Sequence, residues 1–220
     1  MIDLTDTTLI CIDDVNTTKA LRVLEHCSSQ IQFGDIKFFT SLETSHPTIK
    51  IIKINPITNA NEYSNFCITK LIDYINTKFI MFVQVDGYIC NFNAWDPKFK
   101  EVDYIGAPWY YNTCVIAGFP EVNIANCVGN GGFSLRSKRI MERTREIVME
   151  ENHILIHPED AFICRILRRR LEEEGFRFAD KELASRFSLE NNHVDTKYSG
   201  EFGWHGWRTR KNNPEIDTIF

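Results

Sequence analysis

The pattern of apolar and polar positions divides the first part of the chain into short strands and one-sided helices. Residues 8–12 form an apolar run rich in β-forming residues, and the cap residues at 16–18 then predict the start of a helix. Further strands are predicted at 35–40, 48–54 and 78–85, with a second helix at 62–75. Strands that alternate with helices are typical of a mainly parallel α/β sheet.

The second part of the chain begins with a predicted loop region. Residues 86–108 are rich in glycine, asparagine, tryptophan and proline, and loops after parallel strands are where α/β proteins bind ligands. A glycine cluster at 129–132, a strand at 133–135, a helix at 137–151 and a helix from Pro158 to about Gly175 follow. We therefore predict a single α/β domain over residues 1–220, with a Rossmann-like, mostly parallel mixed sheet flanked by helices and a last ten residues that fray.

Composition narrows the classes of protein that need to be considered. The 220 residues are 43% hydrophobic, enough for one substantial core, and the net charge of −5 is spread along the chain, which argues against a nucleic-acid partner. The start of the chain lacks the pattern of a signal peptide, and the apolar run at 79–85 is far shorter than the roughly 20 residues of a transmembrane helix. Seven cysteines without a CxxC pair favour reduced thiols. We expect a soluble, cytoplasmic protein without a transmembrane segment.

Acidic residues occur in two segments where chemistry is expected. Asp86 follows a strongly apolar strand in the sequence Gln84-Val85-Asp86-Gly87, which places a carboxylate at the sheet edge but is also a common turn pair. Glu159 and Asp160 follow Pro158 in the first turn of a predicted helix, where the helix dipole favours acidic residues for structural reasons alone. Each pair is open to a catalytic and a structural interpretation.

A histidine segment and a glycine cluster are the other candidates. His205 lies in the sequence FGWHGW, whose two tryptophans and two glycines favour a functional site, although a lone histidine is more often structural. The cluster at 129–132, with Asn130 inside it, could be a phosphate-binding nest or a sharp bend before a strand.

The order of these segments resembles a known family. The stretches FVQVDGYICN, DYIGAPW, VGNGGFSLRS, HPEDAFICR and FGWHG are similar to those of a glycosyltransferase-like family described only as a domain of unknown function, from about Thr8 to Gly206. More distantly, the chain resembles Fringe-type and β-1,4-galactosyltransferases of the GT-A superfamily. The resemblance implies an enzyme that transfers a sugar from a nucleotide-diphosphate donor, with a UDP-sugar as the expected donor, to a hydroxyl of a carbohydrate or other acceptor.

The resemblance also implies roles for individual residues. Asp86 corresponds to the surviving carboxylate of an Asp-x-Asp metal motif, His205 to a second ligand of Mn²⁺ or Mg²⁺, and Asp160 to the catalytic base, with Glu159 beside it. The chain departs from the motif at its first position, where Gln84 can bind a ribose or a metal-bound water but carries no charge. A metal would neutralise the leaving diphosphate, and a base would accept the acceptor's proton in an inverting reaction. We expect the helix amino terminus to lower the pKa of Asp160.

The remaining candidates would bind the donor. Asp13, Asp14 and Asn16 follow the first strand, where this fold receives the base and ribose of a nucleotide. Gly131 and Gly132 would let the backbone approach the donor sugar or the acceptor closely. Trp109 and Trp204 offer flat faces for a sugar ring, although both could equally belong to the core.

Two other functions remain open. A carbohydrate-binding protein that has lost turnover is compatible with Gln84 in place of an aspartate. A sugar nucleotidyltransferase would share the fold, nucleotide and metal, but the sequence IDDVNTT after the first strand lacks the basic, glycine-rich loop expected of that class.

Overall fold

A computed structural model describes residues 1–110, 113–114, 122–123, 128–153, 156–191, 195–216 and 219. Its strands are β1 (Ile2–Ile12), β2 (Ile31–Thr40), β3 (Lys50–Lys53), β4 (Phe79–Phe82), β5 (Gly87–Ile89), β6 (Tyr104–Ile105), β7 (Ala107–Pro108), β8 (Thr113–Cys114), β9 (Val122–Asn123), β10 (Val128–Gly129), β11 (Ser134–Ser137), β12 (Ser188–Glu190) and β13 (Gly203–His205). Its α-helices are α1 (Thr17–Ser28), α2 (Ala60–Thr69), α3 (Lys138–Glu150), α4 (Glu159–Ala161), α5 (Arg168–Glu173), α6 (Lys181–Phe187) and α7 (Trp207–Asn212).

The main sheet has six strands in the order β3-β2-β1-β4-β11-β6. The first four run parallel to one another, whereas β11 is antiparallel to both of its neighbours. The predicted α/β fold with a mostly parallel mixed sheet is therefore confirmed. Because parallel strands end at the same edge of a sheet, the loops that follow β1, β2 and β4 converge there.

Both faces of the main sheet are buried, and successive residues of one strand face different layers. In β1, Leu9 packs into one hydrophobic cluster together with α1, and Ile10 packs into a second cluster together with α2 and α3. Phe38 and Phe39 of β2 divide in the same way. This two-sided burial is why the strands read as continuous apolar runs rather than alternating ones.

A small second sheet brings the carboxyl-terminal part of the chain to the edge of the main sheet. Its order is β12-β13-β5, with β13 antiparallel to β5 and parallel to β12. His205 lies opposite both Gly87 and Glu190 in this register. Residues far apart in sequence thus meet just beyond the end of β4.

Several boundaries differ from those that the sequence predicts. Strand β1 begins at Ile2 rather than Thr8, and its pairing with β2 shifts register between Leu4 and Thr8, where polar side chains hide the strand pattern. The helix predicted at 62–75 ends as an α-helix at Thr69 and continues as a 3₁₀ turn, Leu71–Tyr74. The helix expected from Pro158 begins one residue later and contains a π-helical stretch, Phe162–Ile166.

For three other predictions from the sequence, the comparison is limited to the residues that the structure describes. In the described part of the chain, no helix is long and apolar enough to cross a membrane. Five cysteines are free thiols, while the side chains of Cys114 and Cys127 lie outside the described residues. Within the last ten residues Ile216 is buried in the first cluster, and 217, 218 and 220 lie outside the described residues.

Candidate functional site

Asp86 lies in a tight turn that links β4 to β5. The backbone N–H of Gln84 donates to the carbonyl of Gly87 at 2.8 Å, and the N–H of Gly87 donates back to the carbonyl of Gln84 at 3.0 Å. Val85 and Asp86 are therefore the two central residues of the turn. The Asp86 side chain is 44% exposed, so its carboxylate faces solvent at the edge where the parallel strands end.

His205 lies directly beside this turn. Its Nδ1 is 2.9 Å from Oε1 of Glu190, and its Nε2 is 3.2 Å from Oε1 of Gln84 and 3.9 Å from Oδ1 of Asp86. The backbone N–H of Gly206 also donates to the carbonyl of Asp86 at 2.8 Å. The FGWHGW segment folds back to Asp86 because β13 pairs with β5.

Glycines on two sides leave room for the imidazole. A Cβ at Gly132 would lie 2.0 Å from Nε2 of His205, and a Cβ at Gly87 would lie 2.6 Å from Cδ2. Any side chain at Gly132 would therefore displace the ring. The sequence predicted Gly131 and Gly132 as positions of close approach to a ligand; the structure shows that Gly132 closely approaches His205, and that a Cβ at Gly131 would lie 2.2 Å from Oε1 of Glu159.

Asp160 is held by the same glycine cluster, residues 129–132, which forms the loop that we call the glycine loop. Its Oδ2 accepts a hydrogen bond from the N–H of Gly131 at 2.8 Å, and its Oδ1 accepts one from the N–H of Ala161 at 2.7 Å. Burial and the charges of Glu159 and Glu190 raise the pKa of Asp160 to about 7. The expectation that the helix amino terminus lowers this pKa is wrong, because desolvation and two nearby carboxylates outweigh a helix end.

Glu159 has a different environment from Asp160. Its Oε1 lies 3.1 Å from Nη2 of Arg136, and both side chains are almost fully buried. The Arg136 guanidinium lies over the ring of Phe82, 3.9 Å from its centre. The pair anchors the base of the glycine loop, which indicates a structural role for Glu159. Sequence reasoning missed Arg136, since nothing in FSLRS marks its arginine as buried.

The surroundings of His205 are strongly acidic. Burial by itself lowers the pKa of His205, but the hydrogen bond that its ring donates to Glu190 and the charges of Glu190, Asp86 and Asp160 raise it overall. Glu190 was not predicted, because a single glutamate in the polar sequence SLENN carries no distinguishing pattern. Only the pairing of β12 with β13 places it against the imidazole.

The donor atoms around His205 suit a cation bound together with further oxygen ligands. With Nδ1–H donating to Glu190, the lone pair of Nε2 points away from that carboxylate, as in many metal-binding histidines. The Gln84 amide donates through Nε2 to the hydroxyl of Tyr63 at 3.0 Å, which leaves its Oε1 facing the imidazole. Two atoms that each lie about 2.1 Å from one ion are at most about 4.2 Å apart, and the Asp86–His205 distance of 3.9 Å satisfies this limit.

This donor set is incomplete without a ligand. Among the residues that the structure describes, no group of three or more histidine, cysteine, aspartate or glutamate side chains is arranged to hold a metal ion. A carboxylate, an imidazole and an amide oxygen leave coordination positions for water or phosphate oxygens. A cation at this position would therefore need ligands beyond those that the described residues supply.

The predicted donor loop borders a cavity next to this site. The cavity has a volume of about 340 Å³, and Asp13, Asp14, Gln84 and Asp86 are among its lining residues. Asp13 accepts hydrogen bonds from the N–H groups of Val15 and Asn16 at 2.7 and 2.6 Å. The Asp13 carboxylate thus fixes the backbone of the loop that lines this cavity together with Asp86.

The other two donor-loop residues have structural partners. Asp14 accepts hydrogen bonds from the Thr40 hydroxyl at 3.0 Å and the Ile57 N–H at 2.6 Å. Burial acts to raise the pKa of Asp14, but these bonds and one from the Ser41 N–H lower it overall. Asn16 caps α1 by accepting from the Lys19 N–H at 3.0 Å, and it does not line the cavity.

The two tryptophans expected to stack on a sugar are buried. Trp109 is 4% exposed and packs against Gly129, and Trp204 is 3% exposed with its ring edge-on to Tyr88 at 5.1 Å. Of the two interpretations that the sequence left open, the structure shows the core one for both rings, because each packs within a hydrophobic cluster. Trp207, which the sequence analysis did not select, is 70% exposed and follows His205 by two positions.

Comparison with known proteins gives one family match. The model of a family described as "Protein of unknown function (DUF5672)" matches residues 46–205, which include Asp86, Asp160 and His205 but not the loop after β1. No curated protein matches the chain.

Proposed function

The chain belongs to the DUF5672 family of proteins of unknown function, and we propose that it is a glycosyltransferase using a nucleotide-diphosphate sugar. One observation carries the proposal. Adjacent residues of the glycine loop contact both candidate chemical groups: the Gly131 N–H donates to Asp160, and Gly132 lies against His205. The proposed base and the proposed cation-binding group thus both contact one short backbone segment, and Gln84 and Asp86 beside His205 line a cavity at the ends of the parallel strands.

Different residues would bind the donor and activate the acceptor. The cavity bordered by Asp13 and Asp86 would receive a nucleotide such as UDP, and Asp86 and His205 would hold Mn²⁺ or Mg²⁺ together with diphosphate oxygens. A divalent cation bound there would neutralise the charge on the leaving diphosphate. Glu190 fixes the His205 ring by binding Nδ1, which keeps Nε2 directed toward the turn.

Asp160 is the proposed base. The acceptor hydroxyl forms a new bond to the anomeric carbon as the bond from that carbon to the donor phosphate breaks, and the hydroxyl proton passes to Asp160. A carboxylate with a pKa near the working pH is well matched to accept a proton in the transition state. The hydrogen bonds from Gly131 and Ala161 fix its orientation before substrate binds.

A carbohydrate-binding protein without turnover is the second candidate. Gln84 supplies no negative charge where the Asp-x-Asp motif has one, and its Nε2 already donates to the hydroxyl of Tyr63. Such a protein would bind the sugar or nucleotide but release no product.

Product release separates the two candidates. The protein is incubated with a panel of nucleotide sugars, with Mn²⁺, with Mg²⁺ and with chelator, and nucleoside diphosphate and pyrophosphate are both quantified. A glycosyltransferase releases nucleoside diphosphate; pyrophosphate release would indicate a nucleotidyltransferase. Binding of the panel by thermal shift without release of either product would favour the binding protein and overturn the proposed activity.

A further inference from the structure

One residue of the glycine loop is not a glycine. Asn130 is 1% exposed and has a left-handed backbone, with a φ angle of 78°. Glycine adopts this conformation freely, asparagine is one of the few other residues that adopt it readily, and most others are strained there. Since a glycine would satisfy the backbone at this position, the presence of asparagine points to a role of its side chain.

The Asn130 side chain binds two of the N–H groups that follow it in the loop. Its Oδ1 accepts hydrogen bonds from the N–H of Gly132 at 2.8 Å and from the N–H of Phe133 at 3.2 Å. The backbone of Asn130 is held as well, because the hydroxyl of Tyr104 donates to its carbonyl at 3.1 Å. Asn130 is therefore fixed both through its side chain and through its backbone.

These contacts determine the direction of the Gly131 N–H. This N–H and the carbonyl of Asn130 belong to the same planar peptide unit, so a partner that fixes the carbonyl also orients the N–H. Tyr104 binds the carbonyl end of the unit, and Asp160 accepts from the N–H end through Oδ2 at 2.8 Å. The buried tyrosine hydroxyl and the candidate base thus lie at opposite ends of one peptide group.

The same contacts decide between the two interpretations of the glycine cluster. The N–H groups of Gly131, Gly132 and Phe133 donate to Asp160, Asn130 and Asn130 respectively. A phosphate-binding nest needs successive N–H groups that are open to the ligand. These three are already engaged within the chain, so the segment forms a bend that serves Asp160.

We infer that Asn130 and the Tyr104 hydroxyl are positioning groups that direct the Gly131 N–H at Asp160. A hydrogen bond from an N–H favours the ionised form of a carboxylate, so these groups help to set how readily Asp160 takes up a proton. The role of Asp160 as the base rests on the proposed function, whereas its hydrogen bonding and its titration require no substrate.

The test follows the titration of Asp160 directly. Protein labelled with ¹³C-aspartate is titrated by NMR, and the carboxyl signal of Asp160 is identified by its absence from Asp160→Asn. Asn130→Gly keeps the freedom of the backbone but removes Oδ1, and Tyr104→Phe keeps the ring but removes the hydroxyl. Asn152→Gly is the matched control, because Asn152 also has a left-handed backbone, with a φ angle of 52°, but is exposed past the end of α3.

Both site variants should raise the pKa of Asp160. The wild-type carboxyl should titrate at about 7. Loss of one hydrogen bond to the ionised form should move the midpoint upward by about one pH unit in Asn130→Gly and in Tyr104→Phe. Asn152→Gly should titrate as the wild type does.

The titration separates positioning from a contribution to stability alone. The charged groups that act on the pKa of Asp160, namely Glu159, Glu190 and Arg136, are unaltered in these variants. A residue that only stabilised the fold would lower the free energy of unfolding without moving the midpoint of Asp160.

The inference is wrong if Asp160 in Asn130→Gly titrates as in the wild type, or if Asn152→Gly moves the midpoint equally. Should Asn130→Gly fail to fold, Tyr104→Phe decides by the same criterion. Product release from nucleotide sugars distinguishes the two proposals. A shifted midpoint in a protein that releases no nucleoside diphosphate refutes only the proposed function, and an unshifted midpoint in an active enzyme refutes only the positioning role.

Discussion

The Glu190→Gln variant tests whether the charge of Glu190 stabilises a protonated His205. The two side chains are 7% and 20% exposed, and their polar atoms are 2.9 Å apart, so solvent screens the pair little. Glutamine retains an acceptor oxygen for Nδ1 and removes only the charge. A hydrogen bond between charged partners contributes about 1.5–3 kcal/mol to the free energy of unfolding.

The stability difference between the wild type and Glu190→Gln should decrease as pH rises. Because the pKa of His205 is raised above the ordinary histidine value of 6.5, the stabilisation is fully present below that value and is lost as pH rises through the folded-state pKa. The wild type should therefore exceed the variant by about 1.5–3 kcal/mol near pH 5.5 and by clearly less near pH 9.

Urea unfolding at both pH values measures this difference, provided that the slope of unfolding free energy against urea is unchanged. Glu201→Gln is the control. Glu201 is also a buried carboxylate, but it accepts hydrogen bonds from Ser199 rather than from an imidazole. The loss of unfolding free energy caused by Glu201→Gln should therefore not change around pH 6.5, the region in which histidine titrates. A difference for Glu190→Gln that stays constant or grows with pH would refute the reasoning.

Three further predictions concern the site itself. Asp160→Asn should slow transfer about 10²- to 10⁴-fold while donor affinity is kept. The wild-type rate should rise with pH through about 7, since only the ionised carboxylate accepts a proton. Near-normal turnover of the variant or a flat pH profile of the wild type would remove Asp160 from the mechanism. Asp86→Ala and His205→Ala should each weaken metal-dependent donor binding in a nucleotide titration. The double mutant should lose less binding free energy than the sum of the two single losses. Losses that add up and that chelator does not alter would exclude a shared ion. Gly132→Ala should lower the free energy of unfolding in urea by about 1–3 kcal/mol, because the new methyl group displaces the His205 imidazole. Much of this loss should disappear when Gly132→Ala is combined with His205→Ala. An equal loss with and without the His205 side chain would contradict the contact between Gly132 and the ring.

The site residues that could be found from the sequence are those with a strong local signal. Asp86 is detectable because it follows a buried apolar strand, and Asp160 because it follows a proline at a helix start. Each signal reports only on the backbone nearby. It therefore located these carboxylates but gave the wrong direction for the pKa of Asp160, which depends first on burial in the folded protein and then on the charges of Glu159 and of Glu190, thirty positions further along the chain.

Burial explains why the sequence could not choose between the two interpretations of the tryptophans. Trp109, Trp204 and Trp207 all occur in glycine- or proline-containing stretches, and nothing local distinguishes them. The first two pack inside hydrophobic clusters, and the third is exposed on α7. Which ring faces solvent follows from how the layers pack around it, and that is a property of the whole fold.

The sequence by itself determined the layered α/β architecture, because apolar periodicity and helix caps act over a few residues, and these local preferences agree with one another along the chain. The tertiary structure alone decided the composition of the site. The pairing of β13 with β5 and β12 places His205 between Asp86 and Glu190, and two glycines leave the space that its ring occupies. Contacts between residues more than a hundred positions apart depend on strand order and register, which no single segment encodes.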